Sequence, residues 1–173
     1  VWDYGTNKKV IDKFFREGIE RAKDTEDLIT IGMRGDGDAA MGGKEGHDDE
    51  YVPDYPYLIK MMQRIFDNQG LRVPDDVIIL LSDDNWGDVR KLPNAEERKH
   101  PGGWGMYYHV DYVGAPRNSK WLNVTPVQNL WEQMQLTYEY GIDRLWVLNV
   151  GDLKPMEYPI TLFLDLAWNP TKY

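Results

Sequence analysis

The sequence predicts an α/β fold built from about four parallel β-α units. Three observations carry this. Segments with helical period alternate with short apolar runs of strand length. Three of those runs begin apolar and end in polar, chemically capable side chains. No long β-rich or all-helical stretch interrupts the alternation. Polar groups gathered at the C-terminal ends of parallel strands are the pattern of a (β/α)8 barrel. Four strands do not close such a barrel, so at this level two architectures stand: a smaller open sheet, or a piece of a larger enzyme.

The elements follow in order. Residues 9–23 read as a helix, with Val10, Ile11, Phe14, Phe15, Ile19 and Ala22 on one face. Leu28 to Ile31 is a short buried strand that runs into Gly32-Met-Arg-Gly-Asp-Gly-Asp38 and then a Gly-rich loop. Leu58, Met61, Met62, Ile65 and Phe66 form the next helical face, which stops near Asn68 to Gly70. Val77 to Leu81 is a second strand, ending in Ser82-Asp-Asp-Asn-Trp-Gly87. Pro93 to Lys99 has the length of one short helix. Met106 to Tyr112 is a third strand. Thr125-Pro126 offers a capping hydroxyl followed by a proline at the first helical position. Val127, Leu130, Trp131, Met134 and Tyr138 give that helix its apolar face, and Gly141 ends it. Arg144 to Asn149 is a fourth strand, and Tyr158 to Trp168 a last helix.

Composition narrows the function. The 173 residues hold 20 Lys+Arg against 29 Asp+Glu, a formal charge of -9. Nucleic-acid phosphates would be repelled, so no nucleic-acid partner is expected. No apolar run approaches the ~20 residues of a spanning helix, and no membrane partner is expected. Nor does a signal-like pattern open the chain. Cysteine is absent, which removes thiol nucleophiles and Cys-zinc sites. Seven Trp and eleven Tyr are many for a chain this short; burial alone can use them, and so can a sugar-binding cleft.

The candidate chemistry lies at the strand ends. Arg34, Asp36 and Asp38 follow the first strand: Asp36 and Asp38 share a face on an extended backbone, and Arg34 can hold an anion through two parallel bonds. A solvated Asp-Gly turn would look similar. A calcium loop fails on spacing, because Met41 stands where an EF-hand needs glycine. After the second strand, alternation pairs Asp83 with Asn85. The third strand carries His109 and Tyr112 beside Asp111, and the fourth ends in Asn149. No nucleophile elbow, P-loop, dinucleotide fingerprint or zinc-protease motif occurs. Carboxylates with aromatic residues suit glycoside hydrolysis, which needs one carboxylic acid and one carboxylate. A binding protein for an acidic sugar would present nearly the same residues.

Six runs resemble glycoside hydrolase family 115, the xylan α-1,2-glucuronidases. They are Ile31-Gly-Met-Arg-Gly-Asp-Gly-Asp38, Arg72-Val-Pro-Asp-Asp76, Asp83-Asp-Asn-Trp-Gly87, Tyr107-Tyr-His-Val-Asp-Tyr-Val-Gly114, Ala115-Pro-Arg-Asn118 and Asn149-Val-Gly-Asp-Leu-Lys-Pro155. They are colinear and cover most of the chain. The resemblance implies a partial (β/α)8 TIM barrel: residues 1–173 as a single domain, the later part of a catalytic barrel, with a shortened loop about 39–56. It implies an inverting enzyme without cofactor or metal, secreted or periplasmic, that removes glucuronic or 4-O-methylglucuronic acid from glucuronoxylan or aldouronic acid oligosaccharides. Asp38 and Asp83 would be catalytic. Arg34, Asp36, Asn85, His109, Tyr112 and Asn149 would bind substrate. The remaining barrel segment or a second copy would be the protein partner. Aligned back from Arg72-Val-Pro74, Met62 stands where the family carries a glutamate thought to be catalytic. That departure keeps open a non-catalytic module that binds uronic-acid sugars or serves as scaffold.

Overall fold

The computed structural model describes residues 4–22, 24, 25, 28, 75–114 and 117–172. The expected first strand beyond Leu28, the Gly-rich loop, and the helix with Met62 lie outside them. So do the candidate residues Arg34, Asp36 and Asp38. The chain divides into two compact units, Val1–Ile65 and Phe66–Tyr173.

In the first unit, α1 spans Tyr4–Ala22, with non-helical backbone at Asn7 marking a kink. It starts several residues before the expected Lys9. Glu17 lies between Lys13 and Arg21, one turn away on each side, at 3.7 and 3.9 Å. These exposed pairs contribute only tenths of a kcal/mol. Thr25 closes the helix by donating from its hydroxyl to Ala22 O at 2.9 Å. Val10 and Phe14, expected on a buried face, are mostly exposed.

The second unit is a small α/β structure around a three-stranded parallel sheet, ordered β1-β2-β3. The strands are β1 Ile79–Ser82, β2 Trp104–His109 and β3 Leu145–Asn149. Ser82 pairs with Tyr107, and His109 with Asn149, so all three strands end at one edge. Two helices follow β2 and β3: α2 Val127–Glu139 and α3 Glu157–Trp168. Parallel strands need such crossovers, and the helices cover one sheet face.

Period two explains the core. Trp104, Met106 and Tyr108 of the central strand, and Val110 just beyond it, are buried with Leu130 and Met134 of α2 and Phe163 and Leu166 of α3. Trp146 and Leu148 of β3 pack against the same cluster. The alternate positions Gly105, Tyr107 and His109 fall on the opposite face. Gly105 is small for a reason: a Cβ there would lie 2.8 Å from Leu145 O and 3.0 Å from a Leu80 methyl.

Several sequence expectations shift. The third strand begins at Trp104 and ends at His109, not at Tyr112. Val110 still donates its N–H to Asn149 O at 2.9 Å, but its own carbonyl accepts the Thr125 hydroxyl at 2.5 Å, which ends the ladder. That hydroxyl was expected to cap α2. It ties the helix start to the strand end instead, and Pro126 occupies the cap position with no side-chain bond. Residues 93–99 give only the 3-10 turn Glu97–Lys99, held by Asn94 Oδ1 accepting from Glu96 N and Glu97 N. Gly141 does end α2, at φ 79° with its N–H on Tyr138 O.

Candidate active site

The site grows from the end of β1. After Ser82 the chain leaves the sheet and folds back over Asp83, whose side chain is fully enclosed. Its carboxylate accepts four bonds: Oδ1 from Asn85 N at 3.1 Å, and Oδ2 from Gly87 N at 3.1 Å and His109 N at 3.0 Å. The fourth comes from the His109 ring, Nδ1 to Oδ1 at 2.6 Å. An ionised carboxylate only accepts, so Nδ1 carries the proton and Nε2 is left for other chemistry. The His109 side chain is 8% exposed, with the Tyr107 ring at 4.9 Å and the Tyr112 ring at 5.8 Å, both edge-to-face.

The turn that makes this enclosure needs left-handed backbone at Asn85, φ 73°, and Gly87, φ 88°. Asparagine tolerates that conformation and glycine favours it. A side chain at residue 87 would meet the Tyr108 hydroxyl at 2.8 Å. Gly87 O accepts from Tyr108 OH and from Asn129 Nδ2, each at 2.9 Å, which pins the loop to the core and to α2. Burial pushes the Tyr108 hydroxyl well above its ordinary value, and the carboxylates of Asp83, Asp88 and Asp84 push the same way.

The neighbouring Asp84 does different work. Burial would raise its carboxyl, but the N–H groups of Trp86 and Asp88 and the Arg90 guanidinium outweigh that and hold it below the usual carboxylate range. Trp86, on the same loop, is 63% exposed and meets the Tyr112 ring edge-to-face at 5.2 Å.

On the far side, Asn149 at the end of β3 donates from Nδ2 to Tyr107 OH at 2.8 Å. Tyr107 therefore keeps its own hydroxyl proton to donate. The Asn85 side-chain amide makes no hydrogen bond to a described residue. The edge thus gathers Asp83, Asn85, His109, Tyr112 and Asn149. Tyr107 and Trp86, which the sequence places at the third and second strand ends without a site role, join them. Period two along the third strand puts Tyr107 on the His109 face.

Chemically, the available groups are an imidazole nitrogen, a phenol, amides and aromatic faces. These are hydrogen-bonding and stacking groups of the kind that fit sugar hydroxyls and ring faces. Among the described residues, no group of three acids or histidines could hold a metal ion, and no helix is long and apolar enough to cross a membrane.

A parallel sheet with polar and aromatic side chains at its C-terminal edge is a frame shared by many α/β proteins that bind ligands there. The family follows from comparison: the sequence profile of Glycosyl hydrolase family 115 matches residues 1–49 and 43–173, and the chain belongs to that family. Among solved structures it is similar to a family GH115 4-O-methyl-α-glucuronidase, BtGH115A, described as having specificity for decorated arabinogalactans. Identity is 34% and the TM-score 0.73, over 99% of this chain and 26% of that one. The chain spans about a quarter of that relative. No curated protein matches it.

Proposed function

We propose that this chain forms the later part of a (β/α)8 α-glucuronidase barrel and supplies one wall of a pocket for (4-O-methyl)glucuronic acid. The observation that carries this is the His109–Asp83 pair at the C-terminal edge of the sheet, flanked by Tyr107–Asn149 and Tyr112–Trp86. His109, Tyr107, Asn85 and Asn149 bind sugar hydroxyls. Arg34 pairs with the uronate carboxylate, a role its guanidinium suits in a chain of net charge -9. The enclosure of Asp83 supports moving it from a reacting carboxylate to a positioning residue. Its oxygens are committed to four donors, and its charge fixes the His109 tautomer. Asp38 is then the remaining candidate for reacting carboxylate, with Asp36 beside it. Inversion needs a second carboxyl roughly 6.5–9.5 Å away, with water between.

The polymer is glucuronoxylan by family resemblance. The relative's specificity makes decorated arabinogalactan a second candidate. The other barrel strands come from a further segment or a second copy. Release of 4-O-methylglucuronic acid from aldouronic acids and from uronosyl arabinogalactan fragments, followed by NMR of the anomeric proton, tests the reading. The expected first product is the inverted, β-configured uronic acid. Binding without release favours the non-catalytic reading, to which Met62 at the glutamate position points. Neither binding nor release overturns both.

A further inference from the structure

Trp86 has no structural task that explains its position. Its backbone is fixed on both sides: Asp84 Oδ1 accepts from Trp86 N at 3.0 Å, and Asp83 Oδ2 and the Gly87 carbonyl bonds hold the next residue. Arg90 locks Asp84 in turn, at 2.9 Å from Nε. Yet the indole stays largely exposed, and its N–H makes no hydrogen bond to a described residue. A rigidly mounted, solvent-facing tryptophan costs solubility and contributes little to folding.

Its neighbours give it a direction. Exposure rises along one chain of edge-to-face rings, from the half-buried His109 through Tyr112 at 40% to Trp86 at 63%. The wall runs outward from the Asp83–His109 pair. A uronic acid held at His109 would direct the sugar that carries it along that wall. The loop's two carboxylates, Asp84 and Asp88, share one guanidinium, that of Arg90, which leaves the loop net negative and disfavours a second anionic sugar there. A neutral pyranose is suited: its axial C–H groups meet the electron-rich indole face, and a hydroxyl meets the indole N–H.

From this geometry we infer that Trp86 is the platform for the neutral pyranose bearing the uronic acid, and sets the preference for polysaccharide side chains over small glucuronides. The inference rests on the uronate-pocket reading above.

The test is calorimetric titration of the protein and its Trp86→Ala and Trp86→Phe variants. The probes are methyl 4-O-methyl-α-glucuronoside, 4-O-methylglucuronosyl xylobiose and glucuronosyl galactobiose. Circular dichroism melts verify folding. The wild type binds at least one oligosaccharide more tightly than the monosaccharide. Trp86→Ala cuts that ratio about tenfold, the scale of losing one aromatic stacking partner and its buried area. Trp86→Phe keeps most of it. A ratio unchanged in Trp86→Ala overturns the inference, as does a wild type that binds the monosaccharide with no gain from the added sugars. A wild type that binds none of the probes overturns the pocket reading, and the inference with it.

Discussion

Tyr107 and Tyr108 are adjacent, identical residues with opposite fates. Tyr108 points into the helix-covered face, stacks on Phe163 at 6.5 Å and donates to Gly87 O. Tyr107 points to the other face, beside His109, and accepts from Asn149. The same contrast divides the whole sheet. One face is filled by Met106, Tyr108, Trp146, Leu130, Met134 and Phe163. The other, among the described residues, carries Leu80, Gly105, Leu145 and Val147 and, at its C-terminal edge, Tyr107, His109 and Asn149. One residue of register therefore separates stability from recognition in this sheet.

That separation can be broken most sharply in the core. Phe163→Ala empties a fully buried site between Tyr108 and Trp146, and should cost about 3–5 kcal/mol in urea denaturation. His109→Ala should cost less stability while abolishing uronate binding, although it leaves the buried Asp83 carboxylate short of one donor. Equal stability losses in the two variants would erase the distinction between the faces.

Gly87→Ala strikes the junction between them. It forces a side chain into left-handed backbone and against the Tyr108 hydroxyl. A cost of about 2–3 kcal/mol is expected. Because the same loop encloses Asp83, uronate affinity should fall together with melting temperature. An unchanged affinity would mean that His109 is positioned independently of the loop.

Much of this architecture is legible in the sequence, for stated reasons. Apolar runs and helical period locate β1, β3, α2 and α3 to within about two residues, because the helices bury one face and the strands are uninterrupted apolar runs. Strand ends point to Asp83, Asn85, His109 and Asn149, because parallel connections bring those ends to one edge. What the sequence hides is partner choice. Strand alternation was the reason for pairing Asp83 with Asn85. In the structure the pairing comes from a turn that wraps one around the other. The Thr125 hydroxyl can cap a helix by accepting from a backbone N–H or can donate to a carbonyl, and only the tertiary fold selects donation to Val110 O. The Asp83–His109 and Tyr107–Asn149 bonds span 26 and 42 residues, distances over which no local rule operates.

Arg34→Ala tests the proposed uronate contact. Loss of a charge-assisted pair of about 1.5–3 kcal/mol corresponds to a roughly 10- to 150-fold weaker uronate interaction. Neutral xylo-oligosaccharides should be affected far less. Equal weakening of both, measured by titration, would make Arg34 structural.

The smallest expected effect is the most specific to the two tyrosines. Tyr108→Phe removes one of two donors to Gly87 O and should cost about 1 kcal/mol at neutral pH, since Asn129 still serves that carbonyl. Tyr107→Phe should cost less, because its hydroxyl lies at the partly exposed edge. Alkaline pH then separates them further. Burial, with the nearby carboxylates, raises the Tyr108 hydroxyl in the folded state. The folded protein therefore holds this proton at pH values where the unfolded chain has released it. Its stabilising contribution is complete below the ordinary tyrosine value of about 10 and declines as pH rises from there toward the elevated folded value. The decline cannot exceed about 1.4 kcal/mol per pH unit from one group. The informative quantity is the stability difference between wild type and Tyr108→Phe. That difference should be constant from pH 7 to 9 and should shrink, then reverse, above about pH 10, because only the wild type bears the cost of keeping this phenol neutral. Urea midpoints measured across that range check it. A difference that stays flat to pH 11 would mean that the Tyr108 proton is not held by burial, and that the helix-covered face is less closed than its packing indicates.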